Sequence, residues 1–139
     1  MFFEITAILL KLFFVGFLMN LLWEVNHSVL YATCYKLSLP SYARLITIMS
    51  VKDGLWISFF YGISALLFQN IYIVESFSQL LFFIILSLLF SFFDEKISVN
   101  LGRWEYRKNM PTILGVGITP LLEIAVTGVA TFFLVFLIL

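Results

Sequence analysis

The sequence is poor in charged residues, cysteine and histidine. Only 12% of its 139 residues are charged, whereas about 25% are charged in an ordinary soluble domain, so that class is excluded. The eight basic residues equal the eight acidic ones in number, which leaves no excess positive charge for nucleic acid. The single cysteine, Cys34, excludes an internal disulfide. The single histidine, His27, excludes a haem held by two histidines of one chain.

Apolar residues, in contrast, are abundant. They make up 63% of the sequence, and the mean hydropathy is +1.10. A transmembrane helix needs about 20 mainly apolar residues, and the sequence supplies four such windows, at 5–23, 54–70, 77–93 and 121–139. The adjoining sequence allows the first to continue to 35, the second to begin near 45 and the third to continue to 101. We therefore predict an all-α membrane protein, a single domain built as an antiparallel bundle of four transmembrane helices.

Basic residues are distributed unequally between the predicted connections. Seven lie between spans one and two or between spans three and four, and none lies in the connection 71–76. Because cytoplasmic loops are enriched in Lys and Arg, we expect both basic connections in the cytoplasm and both termini outside. The start of the chain lacks the basic residues of a signal peptide and carries Glu4, so we expect span one to stay in the mature protein. The expected location is the inner (cytoplasmic) membrane of a prokaryote.

Polar residues concentrate at the span ends that adjoin the basic connections. Span one carries a stripe at helical spacing, provided that its helix continues to about residue 35: Asn20, Glu24, His27 and Tyr31. Carboxylates recur at the same end of the other three spans: Asp53, Asp94 or Glu95, and Glu123. Because the helices alternate in direction, we expect each of them to bring a carboxylate to the same depth of the same leaflet.

Two interpretations of these carboxylates stay open. Charges at helix ends are ordinary in membrane proteins, and Asp53 and Glu123 lie near helix N-termini, where the helix dipole favours an anion. Glu24 and Glu95 lie toward C-terminal ends, where the dipole disfavours them. Those two need another source of stabilisation, for which the candidates are His27, Lys52, Arg103 or a bound cation.

A metal site is one form that this cluster could take. Glu24 and His27 have the Glu-x-x-His spacing of carboxylate-bridged metal centres in helical bundles. Such dinuclear centres need a second histidine, which the sequence lacks. A mononuclear Mg²⁺ or Mn²⁺ site remains open, with ligands drawn from Glu24, His27, Asp53, Asp94, Glu95 and Glu123.

The connection between spans three and four combines aromatic, basic and glycine residues. Trp104 and Tyr106 fit an interfacial aromatic belt, and Arg103 could hold an anionic headgroup. Gly102 is expected to cap the end of span three.

The end of the same connection leads into span four. Thr119 and Pro120 predict an N-cap followed by the first helical residue. Gly115 and Gly117 allow either a phosphate site at that helix start or a shaped connection.

In span two, small residues recur every four positions, at Gly54, Ser58 and Gly62. This pattern lets membrane helices pack closely. It is compatible with packing inside the bundle or with a homodimer.

Two motifs together resemble those of a family of small polytopic membrane proteins of bacteria and archaea. The first is Trp23-Glu24-x-x-His27-Ser28-x-Leu30-Tyr31. The second is Gly102-Arg103-Trp104-x-Tyr106-x-x-x-Met110-Pro111, followed by Gly115-x-Gly117-x-Thr119-Pro120-Leu121. The resemblance implies a role for the intervening Asp53 and Glu95 and would equally accept glutamine at Glu123, but it implies no activity.

Three functions remain open on the sequence. The first is a membrane enzyme acting on a lipid or another amphiphile, with Glu24 and His27 as the acid–base pair and Asp53 and Glu95 positioning a cation or a second proton-transfer group. Its expected substrate-binding residues are Asn20, Tyr31, Arg103, Trp104, Tyr106 and Glu123. The second is a small dimeric transporter or channel that uses the same carboxylates for ion or proton coupling. The third is a non-catalytic assembly or scaffold protein.

Overall fold

The computed structural model describes residues 2–139, with side chains from Glu4 onward, as a bundle of four long helices. The long helices are α1 (Phe2–His27), α3 (Leu39–Phe68), α4 (Phe77–Asn100) and α5 (Ile118–Leu137), and a short helix, α2 (Ala32–Tyr35), follows α1. All four long helices are long and apolar enough to cross a membrane. The prediction of an all-α membrane protein with four spans is confirmed.

The outer surface of the bundle is apolar. On α1, for example, Leu10, Phe14, Leu18 and Leu22 lie four residues apart and are 55–62% exposed. Exposed apolar stripes of this kind are unfavourable in water and favourable in contact with lipid. The exterior therefore suits a bilayer.

The interior of the bundle is partly aromatic and partly polar. A hydrophobic cluster in its middle contains Leu12 of α1, Ile57 of α3, Phe83 of α4 and Phe132 of α5, all fully buried. Several small polar side chains are equally buried, namely Ser50, Ser64, Ser87 and Thr131. Ser50 and Thr131 donate hydrogen bonds to their own helix, to backbone oxygens four residues earlier, which compensates their polarity.

The predicted continuation of the first helix to residue 35 is wrong. Helix α1 ends at His27 and is followed by a 3₁₀ turn, after which Tyr31 is extended and pairs with Tyr106 across the bundle end. Two backbone hydrogen bonds of 2.8 Å flank this pair: Ala32 N–H to Glu105 O, and Arg107 N–H to Leu30 O. The segment around Tyr106, which is distant in sequence, thus forms hydrogen bonds with backbone groups that would be bonded within the helix if α1 continued.

Helix α3 begins earlier than predicted, at Leu39 instead of near 45. Proline in its first turn explains the start, because proline has no N–H to leave unsatisfied there. Helix α4 runs to Asn100, one residue short of the predicted limit.

The expected cap on α4 is present. Gly102 has a φ of +67°, and the backbone N–H groups of Gly102 and Arg103 donate to the oxygens of Val99 and Ser98, each at 3.0 Å. This is the hydrogen-bond pattern of a glycine-terminated helix.

The predicted start of span four is wrong. A two-stranded hairpin, β1 (Thr112–Ile113) and β2 (Val116–Gly117), leads directly into α5, so Gly117 is the N-cap and Pro120 is the third helical residue. The N–H groups of Gly117 and Ile118 donate to Tyr106 Oη and Pro111 O, at 2.9 and 2.8 Å. Because these N–H groups already have protein partners, the structure favours the shaped connection over the alternative, a phosphate site.

Of the small residues of span two, Gly54 is the one that allows close helix packing. A Cβ atom at Gly54 would lie 3.0 Å from the backbone nitrogen of Phe17 on α1 and 3.2 Å from the oxygen of Phe13. A Cβ atom at Gly62 would meet nothing within 4 Å. Gly54 therefore sets the separation of α1 and α3, whereas Gly62 does not.

We expect Gly54→Leu to lower the free energy of unfolding by about 1–3 kcal/mol, because the new side chain would push against the α1 backbone. Gly62→Leu is the matched control, with the same gain in helix propensity and an expected change below about 0.5 kcal/mol. Denaturant titration in detergent micelles measures both. Equal destabilisation by the two substitutions would contradict this account.

Candidate functional site

The candidate site is a cavity at the basic end of the bundle, defined as the end where α1 and α4 finish and where α5 begins. The cavity has a volume of about 60 Å³, enough for several water molecules or a small polar group. Each long helix contributes at least one of the carboxylates that line it: Glu24, Asp53, Asp94, Glu95 and Glu123. The structure thus brings together the acidic residues that the sequence placed at one depth.

Three of the cavity residues form a buried cluster, which we call the triad: Glu24, His27 and Glu123. His27 Nε2 lies 3.0 Å from Glu24 Oε2 and 3.8 Å from Glu123 Oε2. All three residues are at most 7% exposed, and one potential ligand atom from each falls within 4.8 Å of the others. The last turn of α1 and the start of α5 hold this geometry.

Glu95 has a different environment, because it accepts three hydrogen bonds on one oxygen. Its Oε1 accepts from Tyr106 Oη at 2.7 Å, Tyr31 Oη at 2.9 Å and Trp104 Nε1 at 3.1 Å. These donors replace the water that a buried carboxylate loses. Trp104 and Tyr106 were expected in the aromatic belt. Their hydrogen bonds to Glu95 instead fix the connection between α4 and α5 to α4.

The two tyrosines that contact Glu95 stay protonated. Burial raises the pKa of Tyr31 far above its usual value, and the negative charge of Glu95 raises it further. Burial, together with the hydrogen bond to Glu95, also raises the pKa of Tyr106. Both hydroxyls therefore act as hydrogen-bond donors and not as bases.

Lys52, one of the candidates for stabilising Glu24 and Glu95, instead compensates two other carboxylates. Lys52 Nζ donates to Asp94 Oδ2 at 3.0 Å and lies 3.9 Å from Asp53 Oδ1. Its position next to Asp53 at the predicted start of a span was the available signal, but only the fold shows that the α4 residue Asp94 faces it. Asp53 and Asp94 are thus paired with a cation of the chain itself.

Three predicted substrate-binding residues, Asn20, Arg103 and Tyr106, do not line the cavity. Arg103 is exposed, and its guanidinium contacts Ser98 Oγ at 3.4 Å. Asn20 is fully buried one turn deeper than Glu24 and accepts a hydrogen bond from Thr127 Oγ1 at 3.0 Å. Asn20 therefore links α1 to α5.

Several buried polar atoms of cavity-lining residues have no hydrogen-bond partner within the described part of the chain. They are His27 Nδ1, Ser91 Oγ and Glu123 Oε1. An unsatisfied buried polar group costs about 1–3 kcal/mol. A ligand in the cavity could supply the missing partners.

Comparison with protein-family models, with curated proteins and with solved structures finds no match to this chain. The fold defines the class of protein, an all-α membrane protein with four spans. Because a fold does not by itself specify an activity, the function has to be argued from the chemistry of the cavity.

We expect Glu95→Leu to release the connection 101–117, because the buried Tyr31 and the half-buried Trp104 and Tyr106 lose their acceptor. The free energy of unfolding should fall by about 2–4 kcal/mol. Trypsin should cleave faster after Arg103, Arg107 and Lys108 in the otherwise folded protein. The control Glu105→Gln alters an exposed acidic residue of the same connection and should leave cleavage unchanged. An unaltered cleavage rate in Glu95→Leu would refute the anchoring role.

Cys34, which lines the cavity, should react slowly with alkylating reagents. Burial raises the pKa of its thiol, and the nearby Glu24 raises it further, so less of the reactive thiolate forms at pH 8 than in an exposed cysteine. Iodoacetamide alkylation of the native protein should be slower than that of the unfolded chain and should keep rising at higher pH. Glu24→Gln should speed the reaction and Glu105→Gln should not. Native and unfolded rates that coincide would contradict this expectation.

Proposed function

We propose that this protein is a small membrane enzyme that transfers a proton to or from the polar end of a lipid or another amphiphile. The observation that carries the proposal is the buried hydrogen bond of 3.0 Å between Glu24 and His27 on the wall of the cavity. Histidine and glutamate are common general acids and bases, and burial inside a bundle is a typical way to tune them.

The two nitrogens of His27 have different environments. Nε2 contacts Glu24, which can fix the orientation of the ring and balance its charge when it is protonated. Nδ1 has no partner among the described residues, so it is the atom available to exchange a proton with a bound molecule. Glu123 Oε2 lies 3.8 Å from Nε2, so both carboxylates face the same ring nitrogen.

The surroundings of the cavity favour an enzyme over a channel. On the membrane side of the triad, the Asn20–Thr127 hydrogen bond and the fully buried Leu12, Phe83 and Phe132 fill the bundle. A continuous polar path across the membrane would have to break this packing. A cavity that ends inside the bundle is suited to binding the polar end of a molecule whose chain stays in lipid.

In this proposal the protein lies in the inner membrane of a prokaryote, with the cavity at the cytoplasmic side. The basic residues of the adjoining connections support this orientation. They also favour amphiphiles drawn from the anionic leaflet. That the chain belongs to the family of small polytopic membrane proteins with similar motifs is, like this orientation, a prediction.

The test uses purified protein in vesicles of a total polar lipid extract from bacterial membranes, incubated in deuterated buffer. The wild type should replace hydrogen by deuterium on a carbon atom in the polar end of at least one lipid species, where the label survives return to ordinary water and is detected by mass spectrometry. Glu24→Gln and His27→Gln should lower the rate by about 10²–10⁴-fold, the usual contribution of general acid–base catalysis.

The control is Glu105→Gln, an exposed position outside the cavity, which should keep the wild-type rate. Conversion that persists unchanged in Glu24→Gln would reject the assignment of the pair. If the wild type converts no lipid and Glu24→Gln lowers only the yield of folded protein, the proposal fails and a scaffold role is favoured.

A further inference from the structure

We infer that the triad of Glu24, His27 and Glu123 is a binding site for one divalent first-row transition ion, such as Zn²⁺ or Mn²⁺. This goes beyond the proposed function, because it concerns what the three side chains bind and not what the protein catalyses.

The separations of the donor atoms fit a shared ion. An ion about 2.1 Å from each of two ligand atoms holds them about 3.0–3.6 Å apart, depending on the angle between the bonds. His27 Nε2 is 3.0 Å from Glu24 Oε2 and 3.8 Å from Glu123 Oε2. A displacement of a few tenths of an ångström would bring Glu123 Oε2 into coordination range of an ion on Nε2, and one ligand atom from each of the three residues already lies within 4.8 Å of the others.

The charge balance of the triad also indicates a cation. Within residues 4–139, no Lys or Arg nitrogen lies within 4.0 Å of Glu24 or Glu123, whose ion pairs are both with His27. Lys52 is engaged by Asp94 and Asp53 instead. Two buried carboxylates that share one imidazole are costly unless a proton or a further cation compensates their charge, and a bound metal ion would compensate both at once.

Unpartnered polar atoms at the same place supply an independent observation. Glu123 is 5% exposed, and its Oε1 has no hydrogen-bond partner in the described chain. Ser91, which is not part of the triad, is also 5% exposed and lines the same cavity with an unpartnered hydroxyl. Bidentate coordination by Glu123 would use the free Oε1 as well as the Oε2 that faces His27, and a water molecule on the ion could hydrogen-bond to Ser91.

The ligand set selects the type of ion. One imidazole nitrogen and two carboxylates suit Zn²⁺, Mn²⁺ or Fe²⁺, whereas Mg²⁺ and Ca²⁺ prefer oxygen ligands alone. The Mg²⁺ alternative considered from the sequence is therefore disfavoured at this position. Three protein ligands leave at least one coordination position open to the cavity.

The structure also narrows the set of ligands expected from the sequence. Asp53 and Asp94 face Lys52, and the Oε1 atom of Glu95 accepts from Tyr31, Trp104 and Tyr106. These three carboxylates already have partners from the chain itself. Glu123, previously one candidate among several, becomes a principal ligand.

The experiment measures metal binding by the full chain in detergent, without any substrate. After removal of metal with a chelator, the protein is titrated with Zn²⁺, Mn²⁺ and Mg²⁺, and bound metal is counted by native mass spectrometry and by elemental analysis. We expect one Zn²⁺ or Mn²⁺ per chain, a higher melting temperature with that ion and no equivalent effect of Mg²⁺.

Matched variants locate the site. Glu123→Gln and His27→Gln should weaken binding at least about 100-fold, the upper end of what loss of a mere supporting contact costs. Asp94→Asn removes the same charge from the same cavity and should change affinity by less than about threefold. Cys34→Ser should also retain binding, since the thiol is not a ligand in this proposal.

Several results would overturn the inference. One is the absence of stoichiometric metal binding by the folded wild type. Another is an equal loss of metal affinity in Asp94→Asn and Glu123→Gln, which would mean diffuse electrostatic attraction. The third is a loss of metal affinity in Cys34→Ser. If the triad variants do not fold, the Co²⁺-loaded wild type decides, because His27 is the single histidine: paramagnetically shifted imidazole resonances in its NMR spectrum support the site, and their absence rejects it. Metal binding without lipid conversion would support this inference while the proposed function fails, and conversion by a protein that binds no metal would do the reverse.

Discussion

A carboxylate inside a membrane bundle needs hydrogen-bond donors or a counter-charge from the protein, because the hydrocarbon chains of the lipid supply neither. At Glu95 this need is met by Tyr31, Trp104 and Tyr106, all three of which donate to one oxygen. The consequences extend well beyond that residue. The connection between α4 and α5 lies across the end of the bundle. The chain after α1 is not helical at Tyr31, which pairs with Tyr106 of this connection.

The same requirement divides the acidic residues of the cavity into two groups. Glu95 has its donors, and Asp53 and Asp94 share Lys52. Among the described residues, Glu24 and Glu123 share the imidazole of His27 as their one ion-pair partner. The negative charge of Glu24 and Glu123 is thus the least compensated in the cavity, and proton transfer or cation binding is best supported there. The residues around these two carboxylates are fixed by their own hydrogen bonds and ion pairs.

The packing of the helices also limits how far the polar cavity extends into the membrane-spanning region. Close approach of α1 and α3 at Gly54 and the packed rings of Phe83 and Phe132 fill the middle of the membrane-spanning region. Polar residues below the triad are used between helices, as in the contact of Asn20 with Thr127. The arrangement favours a reaction or binding event at one leaflet over passage through the membrane.

The sequence by itself determined the four spans, since each is an apolar run of sufficient length, and the meeting of the carboxylates at one end, since the helices alternate in direction. It also determined the cap at Gly102, which depends only on local backbone geometry. The break after His27 and the donors to Glu95 were decided only by the tertiary structure, because they join residues such as Tyr31 and Tyr106 that are far apart in sequence. Helix packing likewise selected Glu123, and not Asp53 or Glu95, as the neighbour of His27, because sequence spacing fixes positions along one helix but not the distance between two.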